Sequence, residues 1–428
     1  MLLGCIADDF TGATDLANNL VRSGMRVVQT IGVPAVAFGG PDDAGVDAVV
    51  VALKSRTIAP ADAVAQSLAA LQWLRAGGAS QCYFKICSTF DSTDRGNIGP
   101  VAEAIMQALG CDFAIACPAF PLNQRTVFNG YLFVGEVPLD ESGMRDHPLT
   151  PMTDANLVRV LQRQSASKVG LIDHRAVGRG APAIRARMAE LRTQGVRLAI
   201  VDAITDDDLM AMGRAFADLP LLVAGSGVAI GLAQNHGIVA GAHPLAWPSA
   251  ELPAAIVSGS CSVASNAQVR HFLDHGGEGF AVDPLALARG DDVAGAAAVW
   301  ARARGIGVRP LLVYATAEAE AVRAVQSKLG VAAAGELVER ALATIARGLV
   351  ELGVRRLVVA GGETSGACIQ ALAIDRLRIG AQIDPGVPWC EAVAPAAGGE
   401  RLHVALKSGN FGSVDFFSKA FTGASDPR

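Results

Sequence analysis

The chain is short of aromatic residues, of charge and of long apolar runs, and each shortage excludes something. Aromatics make up 5% of its 428 residues and charged residues 18%; 36 Lys and Arg stand against 41 Asp and Glu, a net charge of −5. No Lys/Arg-rich block occurs, so neither a nucleic-acid surface nor an anionic membrane face is expected. No apolar run reaches the ~18 residues of a membrane span. The opening MLLGCIADDF lacks a basic segment and already carries Asp8 and Asp9, so it does not read as a signal peptide. The eight cysteines are scattered without a CxxC pair, which suits reduced thiols in a cytoplasmic protein and gives a zinc site little support. The seven histidines are isolated; His147, in a polar segment, reads as a surface or hydrogen-bonding residue. Neither GxxxxGK[ST] nor an unambiguous GxGxxG is present, so a nucleotide site here is of another type.

What is abundant is small and apolar. Hydrophobic residues reach 51%, with 47 glycines, and mean hydropathy is +0.35. Ala, Val and Gly supply much of this, the composition of buried parallel strands under close-packed helices. The length predicts two domains.

The first stretch organises the rest. Leu2–Ala7 is an apolar run long enough for a buried strand, followed by Asp8-Asp9, then Thr11-Gly12 opening a helix with Leu16, Leu20 and Val21 at helical spacing. Open parallel sheets bind ligands at the C-terminal strand ends, beside helix N-termini. Two adjacent carboxylates there resist joint ionisation. They read either as helix caps or as groups that accept a proton or bind hydroxyls, a lysine or a metal.

Further strands are expected at 46–53, 81–86, 113–117, 169–172, 198–201 and 221–223, with helices at 61–74 and from 97 to about 109. The segment from Arg125 to Thr153 reads as a long irregular loop, of the kind that is often functional. Asn235 to Pro253 breaks the rhythm with Gly237, Gly241, Pro244 and Pro248. A second block repeats the class, with strands at 254–257, 311–314, 357–360 and 401–406 and a long helix at 333–352. The fold class is therefore α/β: two domains, each a largely parallel sheet flanked by helices, with the active site expected in the cleft between them. The division is 1–236, a linker 237–253, and 254–428.

Polar clusters recur at strand ends in the first half: Asp8/Asp9, Lys54/Ser55/Arg56, Lys85 with Ser88, Thr89 and Asp91, and Asn123/Arg125. In a parallel sheet they share one edge. Together they offer cations for a carboxylate and hydroxyl, amide and carboxylate groups for a polyol, the inventory a small sugar acid needs. Any one cluster also fits ordinary turn chemistry. Lys85 carries more weight, because an unpaired ammonium at the end of an apolar strand is costly. The second half has three Gly/Ser-rich junctions after apolar strands, SGSCS, GGETSG and KSGNFG. Glycine permits close backbone approach, so successive N–H groups can face an anion, and helix N-termini add partial positive charge. A polyphosphate site is expected there.

At these residues the sequence resembles the four-carbon acid sugar kinases. The resemblance runs nearly end to end through IADDFTGATDLANNL, LKSRTI, YFKICSTFDST, GNIGP, CPAFPLNQRTVFNGYLFV, ESGMRDHPLTPMTDANL, AGSGVA, VSGSCS, AGGETSGA and LKSGNFG, and is nearest the branch acting on 3-oxo-tetronates. It implies an N-terminal domain for the acid sugar and a C-terminal one for ATP, with ATP contacts at Ser258, Gly361, Gly362, Glu363, Thr364 and Gly409, and Mg²⁺ to neutralise phosphate charge. The expected reaction is ATP-dependent phosphorylation of the 4-hydroxyl of a four-carbon 3-oxo sugar acid such as 3-dehydro-erythronate. Asp9 is the leading base and Asp8 its neighbour, raising its pKa or helping place Mg²⁺, with the reverse assignment open; metal ligands are not assigned. Arg56, Lys85 and Arg125 are the candidates for gripping the substrate carboxylate. The partners are the acid and ATP, and a homo-oligomer is left open. Rival readings are a kinase of D-threonate or D-erythronate, separated by a substrate panel; an NAD-dependent oxidoreductase, separated by nicotinamide absorbance; and a sugar-acid sensor, which binds without consuming ATP.

Overall fold

Short apolar runs ending in Gly, Asp or Lys become the strands of the main sheet of each unit. The computed structural model describes residues 1–40, 43–147, 150–241, 247–307, 309–317, 324, 326–328 and 330–422. The chain divides into two compact units, Met1–Pro244 and Leu245–Arg428. Residues 242–246 of the expected linker lie outside the described residues.

The main sheet of the first unit has eight strands: β1 (Leu3–Ala7), β2 (Val27–Ile31), β3 (Ala48–Ala52), β4 (Gln81–Lys85), β5 (Ala114–Cys117), β9 (Lys168–Ile172), β10 (Val196–Val201) and β11 (Leu221–Ala224). Their order is β2-β3-β1-β4-β11-β5-β10-β9, and every neighbouring pair is parallel. Every residue of β1, β3, β4 and β5 is buried, as strands covered on both faces must be. From β1 the chain builds outward to β2 and β3 on one side, then crosses to β4 on the other. That reversal is where open parallel sheets form their crevice. Ala7 pairs with both Ala52 and Lys85, so the polar clusters after β1, β3 and β4 do share one edge.

The segment 125–153 is not irregular. It contains β6 (Arg125–Phe128), β7 (Tyr131–Val134) and β8 (Val137–Pro138), a three-stranded antiparallel sheet, followed by two short 3₁₀ turns. The turn between β6 and β7 is Asn129-Gly130, both at positive φ (51° and 78°), the pairing that tight hairpins favour. Its density of Gly, Pro and polar residues hid a two-residue hairpin signal. Residues 148 and 149 lie outside the described residues. His147 has a local role, its Nδ1 facing the Thr150 amide at 3.0 Å.

The second unit holds β12 (Ala254–Ser258), β13 (Glu278–Ala281), β14 (Leu311–Tyr314), β15 (Arg356–Ala360), β16 (Arg376–Asp384), β17 (Val387–Val393) and β18 (Arg401–Lys407). The order is β13-β14-β12-β15-β18-β17-β16. The first five are mutually parallel, whereas β17 runs antiparallel to both β18 and β16. Here the reversal lies between β12 and β15. The core packs Ile256, Leu312, Val358 and Trp389 with Phe416 and Phe417 from the Phe416–Thr422 helix. No helix among the described residues is long and apolar enough to cross a membrane.

Candidate active site

In the first unit one guanidinium gathers the acidic pair. Arg56 donates from Nε and Nη2 to the Asp8 carboxylate at 3.0 and 2.7 Å, and from Nη2 to Asp9 at 2.6 Å. Asp91 stands 3.7 Å away on the far side of the fork. The backbone is arranged for this: the Asp8 carbonyl accepts the amides of Ser55 and Arg56, at 3.0 and 3.2 Å. Asn97, at the N-terminal end of the Ile98–Leu109 helix, donates from Nδ2 to the carbonyls of Ser55, Arg56 and Ile58. The loop that carries Arg56 is thus pinned from outside the sheet.

Asp9 is also the helix cap. It accepts the Gly12 amide at 3.1 Å and the Thr11 hydroxyl at 2.8 Å, at the start of the Phe10–Arg22 helix. The helix-cap reading of the pair therefore holds for Asp9. Burial drives both carboxyls upward. For Asp8 burial prevails over Arg56 and its carboxyl stays above the ordinary carboxylate range. For Asp9 the pull of Arg56 and Lys85, with the Thr11 and Gly12 hydrogen bonds, outweighs burial and holds it below that range. The Asp9 side chain is 26% exposed and that of Asp8 only 7%, so Asp9 is the more accessible oxygen donor.

Lys85 ends β4 almost fully buried and donates to the Ile86 carbonyl at 2.9 Å. The loop beyond it is tightly set. Thr89 donates to Asp91 at 2.5 Å and faces the Cys87 thiol at 3.0 Å. Between them Phe90 is buried at a positive φ of 54°, a conformation that a bulky residue keeps only when its surroundings impose it. Ser88 is half-buried beside it. Arg125 donates to the Asn123 carbonyl while its buried Nε has no partner.

A fourth carboxylate belongs to this group beside Asp8, Asp9 and Asp91, one to which the sequence assigns no role. Asp15 is buried and accepts a hydrogen bond from the Ser226 hydroxyl, while its Oδ1 is unpartnered. Burial raises its carboxyl against the pull of Lys85 and the Ser226 bond, and Asp9 and Arg125 act on it too. Its place within the DDFTGATD stretch was the available signal. The contact with Ser226, more than two hundred residues away, was not legible.

The second unit has a cavity of about 600 Å³. Gly259, Ser260 and Cys261, which follow β12, and Gly361 to Thr364, which follow β15, line it together with Tyr314 and Thr316. Ser262 caps the Val263–Asp274 helix by accepting the Ser265 amide, and Gly361 precedes the Gly362–Ala371 helix. Two helix N-termini therefore meet at one cavity, the arrangement that attracts phosphates. Gly361 has a φ of 123°, and a Cβ there would lie 2.9 Å from Thr364 Oγ1 and 3.2 Å from the Ser260 amide. At Gly362 a Cβ would meet nothing within 4 Å, so this backbone faces open space. Glu363 is exposed in the first turn of the helix. Ser258 is fully buried and reaches the cavity only through Thr316, its hydroxyl 2.6 Å from Thr316 Oγ1. Gly409 lies behind Ser260, 2.6 Å from Ser260 Oγ to a built Cβ. Among the described residues no group of three or more His, Cys, Asp and Glu could hold a metal.

Two family models match the chain: a sugar-binding N-terminal domain over residues 3–232 and a nucleotide-binding C-terminal domain over residues 255–417. A 3-oxo-tetronate kinase of Cupriavidus necator is 59% identical over 425 residues, covering 98% of this chain and 96% of its own length. One from Burkholderia multivorans is 59% identical over 423 residues with the same coverage. The crystal structure of a Haemophilus influenzae protein superposes with a TM-score of 0.79 at 42% identity, covering 97% of this chain and 98% of that one.

Proposed function

This chain belongs to the four-carbon acid sugar kinase family, a phosphotransferase acting on a sugar acid, and on that premise we propose that it uses ATP to phosphorylate the 4-hydroxyl of a 3-oxo-tetronate. The observation that carries the reading is the Asp8–Arg56–Asp9 cluster at the sheet reversal, with Lys85 beside it. It offers a carboxylate oxygen and cations at one strand-end edge, the inventory of a hydroxy-acid site.

Each residue then has a task. Asp9 takes the proton of the attacking hydroxyl as the O–P bond forms. In a loose phosphoryl-transfer transition state the base mainly orients the hydroxyl, so a carboxylate of low pKa suffices. Arg56 holds Asp8 and Asp9 through Nε and Nη2, and its Nη1, 3.7 Å from Asp91, is the part of the fork left for the substrate carboxylate. Lys85 and Arg125 retain N–H groups for the substrate carboxylate, and Thr89 and Asp91 face its hydroxyls. ATP fits the glycine-lined cavity, where Gly362 exposes backbone to open space. Mg²⁺, when bound with ATP, would neutralise phosphate charge; it takes one or two carboxylates beside the phosphates, and in the second unit Glu363, in the first turn of the Gly362–Ala371 helix, is the candidate. The acid and the triphosphate must approach within reach of in-line attack, and water must be kept out while they do.

A coupled ADP-release assay over 3-oxo-tetronates, D-threonate and D-erythronate tests the reading. Turnover confined to the 3-oxo acids is expected. Faster turnover of threonate or erythronate would move the substrate assignment, and acid binding without ADP release would remove the kinase reading for this chain.

A further inference from the structure

Lys407, the last residue of β18, is fully buried. Its ammonium donates to three backbone carbonyls, Ser408 at 3.0 Å, Gly409 at 3.0 Å and Phe411 at 3.2 Å, and to Ser265 Oγ at 3.1 Å. No carboxylate is among these partners. An ion without a counter-ion in the interior is expensive, so its retention calls for an account that packing does not supply.

The turn after β18 is wrapped around this cation. Because peptides are trans, carbonyls of 408 and 409 turned inward onto Nζ leave the amide hydrogens of Gly409 and Asn410 turned away from it, and among the described residues neither amide has a backbone acceptor. The Gly409 carbonyl also accepts the hydroxyls of Ser262 and Ser265, at 2.6 and 3.0 Å. Lys407 thereby ties the KSGNFG turn to the SGSCS junction and to the first turn of the helix beyond it. Gly361 meets the same residue from the other side, its amide donating to the Lys407 backbone carbonyl at 2.9 Å. All three glycine-rich junctions therefore meet at Lys407, two through its side chain and the third through its backbone.

We propose that Lys407 is a positioning residue for the nucleotide phosphates: from behind the 408–412 turn it holds the turn's amide hydrogens outward and places an uncompensated positive charge at the back of the phosphate site. The proposal rests on the reading that the second unit takes ATP. It adds a residue that touches no substrate and acts through backbone, as a cation-filled version of an anion-binding nest.

The charge state follows. Burial lowers the Lys407 ammonium to about 7, and no ionisable group of the adjoining strands, helix or turn contributes to that fall; the three carbonyls work the other way by accepting from the charged form. Phosphates arriving nearby favour the ammonium, so ATP binding draws in a proton on the alkaline side of neutrality.

Titration calorimetry on the full chain tests this, using ATP and the acid substrate with wild type, Lys407→Met and Lys407→Gln. For both variants the Kd for ATP should rise at least tenfold and the Kd for the acid should stay within twofold. At pH 8, buffers of different ionisation enthalpy should reveal net proton uptake on ATP binding by wild type, and none by a folded variant. Equal loss of both affinities, or ATP affinity within twofold of wild type, overturns the role of Lys407. Should neither variant fold, zero proton uptake by wild type at pH 8 overturns it and measurable uptake supports it. A wild type that binds no ATP brings down the nucleotide reading itself, a result distinct from ATP binding that survives the loss of Lys407.

Discussion

Arg56 and Asp8 form a two-point pair, Nε and Nη2 on the two carboxylate oxygens, and the same Nη2 also serves Asp9. One guanidinium thus offsets part of the repulsion between two adjacent carboxylates: it helps hold Asp9 below its ordinary value, while burial still keeps Asp8 above its own. The geometry of a planar fork matters here, and an ammonium cannot reproduce it.

Arg56→Met should therefore destabilise the protein by about 3 kcal/mol, the lower end for stripping one partner from a buried pair, since the arginine is 21% exposed. The effect depends on pH. Asp9 is held below its ordinary value, so its contribution is present above about pH 4 and is lost as pH falls through the lowered value. The gap in denaturation midpoint between wild type and Arg56→Met should be widest near pH 7 and narrow below pH 4. A gap independent of pH would assign the loss to packing.

Asp9→Asn should lower kcat by about 10²–10⁴-fold, the usual range for removing a general base, with a much smaller change in KM for the acid. Asparagine still caps a helix, so Tm should move by only a few degrees. Near-normal kcat would reject Asp9 as the base. A large fall in Tm alongside lost activity would leave only its capping role, and rescue by raised Mg²⁺ would make it a metal ligand.

The two neighbouring glycines of GGETSG should separate by mechanism. Gly362→Val adds its side chain to open space, so Tm should hold while the Kd for ATP rises at least tenfold. Gly361→Ala forces a Cβ onto Thr364 at a φ of 123°, and should cost stability of about 1–3 kcal/mol. Equal effects of the two on Tm would contradict the assignment of open space at Gly362.

Ser226→Ala should leave the buried Asp15 carboxylate with no hydrogen-bond donor among the described residues, at a cost of about 1–3 kcal/mol. If Asp15 belongs to the acid site, KM for the acid should rise as well. A stability loss with unchanged KM would make the Asp15–Ser226 contact purely architectural.

Much of this was legible because parallel strands buried on both faces write themselves as apolar runs: VDAVVVAL became β3 and the end of QCYFKI placed Lys85. The glycine junctions were equally plain, since SGSCS, GGETSG and KSGNFG each follow such a run. Strands whose runs are broken by polar residues escaped. β2 carries a fully buried Gln29 that accepts from Thr14, β16 alternates as antiparallel strands do, and β17 is interrupted by Pro388 and Glu391. The site was legible only as separate clusters. That Arg56 would hold Asp8 and Asp9, that Ser226 would meet Asp15, or that Lys407 would have carbonyls for company are facts of distance in space, and no local pattern records them.

The strand order of the first unit also sets a timetable. β11 is last of its sheet in sequence, yet it lies between β4 and β5. Until Leu221–Ala224 has left the ribosome, β4 and β5 cannot be joined, and each presents an open edge to whatever is nearby. β11 follows β4 by well over a hundred residues, on the order of ten seconds of synthesis at ordinary elongation rates. The middle of this sheet is therefore closed by one of the last pieces of its unit to be made, and a nascent chain halted before residue 221 should be a client for chaperones rather than a folded intermediate.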